Sequence, residues 1–194
     1  YFVPAPAFSS ADVSGEIQLR IEQIGKAADY RIAKHSMHGK VFLADLYQAN
    51  NFKPVWDDGL AEVLGDEIQN LSNDGLDPAD YWFPSLDALL VKKQNRSLDA
   101  AQQAELDLLL SEAFVRAYYN LLVGKVDPER LDENFNFPRP LNAEKRRPAV
   151  IAMLLQGRVA DIFARARPPE HAHRRLKEAL AEYRAYAEAG GWPT

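Results

Sequence analysis

The sequence predicts an all-α fold, an irregular set of orthogonally packed helices, and three observations carry the prediction. Leu106, Leu109, Leu110, Ala113, Phe114, Ala117, Leu121 and Leu122 recur at i, i+3, i+4, i+7 spacing over several turns, the mark of a long buried helix. Asp-Pro pairs and glycines punctuate the chain as starts and stops. No segment shows sustained period-2 alternation bounded by turns, so a sheet is not expected. The apolar segments are too short and uneven for a regular bundle.

Taken in order, residues 1–13 read as a flexible Pro/Ala-rich tail, in which Ala5-Pro6-Ala7 has only the small-x-small form of a cleavage site. Residues 14–40 read as an N-terminal helix and connector packing on the main domain, with Ser14 as its cap and Ile17, Leu19, Ile21, Ile24 and Ala28 as its apolar set. Asp29 to Met37 reads as irregular or briefly extended. Residues 41–194 form the main helical domain. Phe42, Leu43, Leu46 and Tyr47 mark a helix over about Gly39–Asn50 that Pro54 prevents from continuing. Asp58 or Gly59 opens the next, which stops at Asn73-Asp74-Gly75. Asp77 caps a restart with Pro78 in first position, continuing through Leu86, Leu89 and Leu90. The longest helix covers Asp99 to Val123 and ends at Gly124. Asp127-Pro128 repeats the start signal, and Phe135–Pro140 reads as a loop packed by its aromatics. Short helices over Pro148–Gln156 and Val159–Arg165 precede a terminal helix, His171–Ala189, with Leu176, Leu180, Tyr183 and Ala187 on its inner face.

Composition narrows the chemistry. The 194 residues are 47% apolar and 26% charged, enough to bury a core without crosslinks. A net charge of −5 offers no overall basic field, so a nucleic-acid partner is not expected. The basic runs Lys145-Arg146-Arg147 and Arg165–Arg175 read as solvated helix faces. No apolar run approaches the ~20 residues of a membrane span. The absence of cysteine removes disulfides, thiolate nucleophiles and cysteine-ligated metals together. No Gly-x-Ser-x-Gly elbow or phosphate loop occurs, and Ser111 reads as a small packing residue. Glu112 is the one tempting acid for a muramidase-like hydrolase, but it is mid-helix and Asp107, five residues away, is off its face. His35-x-x-His38 and His171-x-His173 lack acidic co-ligands, and Asp74, Asp77 and Asp80 suit capping better than calcium. Neither a catalytic residue, a metal nor a cofactor is therefore assigned. Aromatics flank the helix ends, and Trp56, Tyr81, Trp82, Tyr118 and Tyr119 are the candidate groove for a glycan, peptide or protein partner.

Four stretches, in this order, carry a resemblance. They are Tyr47-Gln-Ala-Asn-Asn-Phe-Lys-Pro-Val-Trp56, Asp74-Gly-Leu-Asp-Pro-Ala-Asp-Tyr81, Glu105–Phe114 continuing to Gly124-Lys-Val-Asp-Pro128, and Leu176–Pro193 ending in Gly-Gly-Trp-Pro. Together they resemble the N-terminal scaffold domain of large multidomain bacterial L,D-transpeptidases, over roughly Val41 to Pro193. The resemblance implies a non-catalytic, periplasmic domain. Its partners are the peptidoglycan-binding and catalytic domains of a parent enzyme that makes 3→3 peptidoglycan crosslinks with a cysteine nucleophile and a histidine base. No such cysteine is present to inherit that role. The family often has an aromatic residue after Pro168-Pro169, where this chain reads Glu170-His171-Ala172-His173. An independent peptidoglycan-binding or protein-interaction module is the other reading, with a helical hydrolase more remote.

Overall fold

A computed structural model describes residues 10–126 and 143–191. Eight α-helices lie within them: α1 (Ser10–Lys26), α2 (Lys40–Ala49), α3 (Asp58–Asn70), α4 (Pro84–Gln94), α5 (Ala100–Val123), α6 (Ala143–Leu155), α7 (Val159–Ala166) and α8 (His171–Glu188). A minimal antiparallel hairpin, β1 (Arg31–Ile32) with β2 (His35–Ser36), follows α1. Two 3-10 turns, Leu71–Asp74 and Pro78–Asp80, link α3 to α4. The all-α prediction holds. Asp127-Pro128 and the Phe135–Pro140 segment lie outside the described residues.

Helix α5 is the axis of the domain. It opens on a reciprocal capping box: Gln102 N donates to Asp99 Oδ1 at 2.7 Å, and Asp99 N donates to Gln102 Oε1 at 3.3 Å. From Leu106 to Val115 every residue is buried, so the helix is covered on all sides and its apolar residues need not keep to one stripe. Helices α1, α2, α3, α4 and α7 all pack on it. Phe114 sits at the centre, with the rings of Phe42, Trp56, Tyr118 and Phe163 at 5.8–6.2 Å between centroids.

Several boundaries differ from the sequence reading for identifiable reasons. Helix α1 begins at Ser10 and not after Ser14, because Val13 belongs to the same buried stripe as Ile17, Ile21 and Ile24; Leu19 points outward. Asp77 does cap its turn, accepting from Ala79 N at 3.0 Å, but that turn ends at Asp80 and Pro84 starts a separate helix. Helix α6 starts at Ala143 and runs through Pro148, whose missing N–H removes one bond near the start of the helix.

Helix α8 departs most. None of its residues is buried, Leu176 is 69% exposed and Tyr183 60% exposed, so these two are not on an inner face. The side turned toward the body carries His173, Lys177, Leu180 and Arg184 instead, and it rests on the Leu71–Asp74 turn. Gly75 closes that turn at φ 81°, a left-handed conformation that favours glycine. The attachment of α8 is electrostatic where the sequence pattern suggested apolar.

Candidate functional site

Three polar side chains interrupt the buried run of α5: Asp107, Ser111 and Glu112. A polar group taken from water must find partners or cost one to several kcal/mol. Each finds them in a distant segment.

Asp107 faces the connection between α2 and α3. Its carboxylate accepts from Tyr47 Oη at 2.7 Å, from Val55 N at 2.9 and 3.1 Å, and from Trp56 N at 3.0 Å. Ser111, one turn on, lies 2.8 Å from Tyr47 Oη and accepts from Trp56 Nε1 at 2.8 Å. Ser111 is thus a hydrogen-bonding junction and more than a small packing residue. Burial pushes the Asp107 carboxyl up to about 6, while the bonds from Tyr47, Val55 and Trp56 hold it down. Burial, with the neighbouring Asp107 charge, likewise drives the Tyr47 phenol well above its ordinary range.

Glu112 faces another way. Its two oxygens accept from His38 N at 2.8 Å and Gly39 N at 3.0 Å, so a side chain of α5 caps the start of α2 in place of a local one. The approach is close: a Cβ on Gly39 would lie 2.4 Å from Val115 Cγ1 and 3.2 Å from Glu112 Oε2. Burial raises the Glu112 carboxyl, and the two backbone bonds offset part of the rise. Glu112 has no exposed surface and both oxygens are engaged, so it has no face open to a glycosidic bond.

A second polar cluster forms at Asp74, whose side chain is almost wholly covered. Arg167 Nε donates to Oδ2 at 2.9 Å and Lys177 Nζ to Oδ1 at 2.6 Å, with His173 Nε2 at 3.5 Å. Arg167 also reaches Glu67 at 3.0 Å, and Arg184 donates to Ser72 O at 2.9 Å. Burial pushes the Asp74 carboxyl up, but the bonds and charges of Lys177 and Arg167 outweigh it, and it titrates below its ordinary value. Arg167 is therefore structural and not part of a solvated face, and Asp74 gathers cations where a cap was expected. Arg147 likewise pairs with Asp45, at 2.6 Å. Asp80 pairs with Lys125.

The five candidate groove aromatics do not share one groove. Trp56, Tyr81 and Tyr118 are buried: Trp56 on Ser111, Tyr81 accepting from Asn120 Nδ2 at 3.0 Å, and Tyr118 stacked on Phe114. Trp82 and Tyr119 are half-exposed and line different hollows. Trp82 lies over Gly65 beside Asp58, Glu62 and Asp66, in a hollow of about 500 Å³. Tyr119 lines a cavity of about 750 Å³ at the start of α2. His35 stacks on Phe83 with centroids 4.1 Å apart, which occupies one member of the first histidine pair. Among the described residues no three His, Cys, Asp or Glu gather as metal ligands, and no helix is long and apolar enough to cross a membrane.

Sequence reasoning missed Asp107 and Gly39 as structural positions. The signal for Asp107 was present, since an acid, a serine and a second acid inside Leu106–Phe114 require buried partners. Gly39 gave no such signal; its need is set by Val115, far along the chain.

The segments joined here are among those that carry the resemblance: Tyr47 and Trp56 on α5, and Asp74 on α8. No curated protein and no solved structure matches the chain. A family model described as Scaffold domain matches residues 42–180, from α2 into α8. The chain thus belongs to the Scaffold domain family.

Proposed function

We propose that this chain is the non-catalytic scaffold domain of a periplasmic L,D-transpeptidase. It would work in peptidoglycan 3→3 crosslinking and cell-wall remodelling alongside the peptidoglycan-binding and catalytic domains of its parent enzyme. The observation that carries the reading is where the resembling motifs fall. Tyr47 and Trp56 close on Asp107 and Ser111, and Asp74 fastens α8, so the motif residues named here hold the fold together, which supports a structural role for them. On α8 the side chains of Leu176, Tyr183 and Tyr186 are exposed, and neighbouring domains of the parent enzyme would rest against that helix. Deleting residues 41–192 from the full-length enzyme tests the proposal. Loss of transpeptidation in isolated sacculi, with the catalytic domain still folded, is the expected result; undiminished crosslinking rejects a scaffold role.

A peptidoglycan-binding module is the second reading, and one observation favours it: Trp82 stands half-exposed over a hollow rimmed by carboxylates, an arrangement suited to sugar hydroxyls. Co-sedimentation of the chain with sacculi, weakened by Trp82→Ala, is what it requires.

A further inference from the structure

The cavity of about 750 Å³ at the start of α2 has the size of a small-ligand site. Four cationic side chains line it, from four parts of the chain: Lys40 of α2, Arg116 of α5, Lys125 just beyond α5, and Arg147 of α6. Among the described residues no carboxylate lines it. Lys125 and Arg147 are each balanced by one carboxylate, Asp80 and Asp45. Lys40 and Arg116 form no ion pair among the described residues; the Asp29 charge acts on Lys40 and the Glu112 charge on Arg116 from beyond ion-pair distance. Lys40 Nζ donates to the neutral carbonyls of Ala27 and Ala28, at 2.6 and 2.5 Å. Arg116 lies over the Phe83 ring, 5.6 Å from its centroid, and among the described residues no carboxylate is within ion-pair distance of it. Glu112, one helical turn before Arg116, has both oxygens engaged by the His38 and Gly39 amides. Phe42, Val41 and Tyr119 supply apolar and aromatic wall between the cations.

We propose that this cavity binds an organic oxyanion, a carboxylate or a phosphate carried on a compact apolar body. The anion sits between Lys40 and Arg116, and the apolar body packs on Phe42 and Tyr119. A guanidinium presents paired N–H donors to either oxyanion, and an ammonium adds a point charge beside it. The site does not depend on the scaffold reading; an intact enzyme with an unoccupied cavity, or a binding chain with no parent enzyme, would separate the two.

Titration of the whole chain at low salt, followed by amide chemical shifts, tests the site with three probes. These are N-acetylphenylalanine, phenyl phosphate, and the neutral amide of N-acetylphenylalanine. The expected result is saturable binding of at least one anion, with shifts concentrated at residues 38–42 and 115–120. The neutral amide should bind about tenfold more weakly or worse, as should the better anion to Arg116→Gln, one charge-assisted bond being a tenfold effect or more. Val41→Glu places a carboxylate on the wall at a position 60% exposed, where folding tolerates it, and should reduce binding at least as far. The tighter of the two anions identifies the source chemistry. Failure of both anions to saturate below about 10 mM overturns the proposal. So does equal binding of the amide, or unchanged affinity in both folded variants.

Discussion

Asp107 and Asp74 are both acids withdrawn from water, and both fasten segments distant in sequence, yet they do so with opposite chemistry. Asp107 is held by neutral donors: one phenol and two backbone amides. Asp74 is held by cations, Arg167 and Lys177. Burial alone raises a carboxyl; whether the rise survives is decided by the charge of the partners. Asp107 therefore ends near 6, and Asp74 ends below its ordinary value. The energetic character of the two ties differs as well. Removing Asp107 strands buried donors in the core, whereas the partners of Asp74 are partly exposed and can turn to water.

The largest effect should follow Asp107→Ala. Tyr47 Oη keeps Ser111, but the amides of Val55 and Trp56 lose their acceptor, and a loss of about 4 kcal/mol is expected by denaturant unfolding. A loss under 1 kcal/mol would mean water replaces the carboxylate and the contrast fails. Gly39→Ala comes next, at about 2 kcal/mol, because the new methyl overlaps Val115 and disturbs the Glu112 cap. Asp74→Asn should cost only about 1 kcal/mol globally. Its main consequence should be local: amide exchange in α8 accelerates while α5 stays protected. Uniform acceleration across both helices would erase the distinction between the two ties.

The pH dependence sharpens the comparison through its sign. The carboxyl of Asp107 is raised to about 6 in the folded chain from an ordinary 3.8. The folded state thus holds its proton more tightly, and this contribution is complete below about pH 4 and is lost as pH rises through about 6. Its slope is at most about 1.4 kcal/mol per pH unit. Asp74, with a lowered value, contributes above its ordinary value and loses that contribution as pH falls through the lower folded one. Stability measured relative to Asp107→Asn should therefore fall between pH 4 and 6. Measured relative to Asp74→Asn it should rise as pH climbs through 4. Parallel curves for the two variants would show that partner charge does not govern the shifts.

Much of the architecture was legible because it is written in local pattern. The stripe from Leu106 to Leu122, the Asp99 start, Gly75 and Gly124 fixed α5 and the turn after α3 without tertiary information. The ties were not legible, because their partners lie 51 to 103 residues apart and many of those partners are backbone amides, which every residue but proline carries. Helix α8 misled for a related reason. Its apolar residues recur at helical spacing, but the bonds of Lys177 to Asp74 and of Arg184 to Ser72 O decide which side faces inward. The groove aromatics were divided in the same way: Trp56 and Tyr81 bond to α5, Tyr118 lies on the buried face of α5, and Trp82 and Tyr119 kept more surface.

The grip of Asp107 on Val55 N has one more implication. The contact is made to the peptide unit, so it is indifferent to the side chain that position 55 carries. A substitution scan there should find broad tolerance for small and medium residues, with a single sharp exception at proline, which has no hydrogen to donate. A position anchored to the middle of the domain can thus pass for an unconstrained one in a family of related sequences. The constraint shows only as the one residue missing from its repertoire.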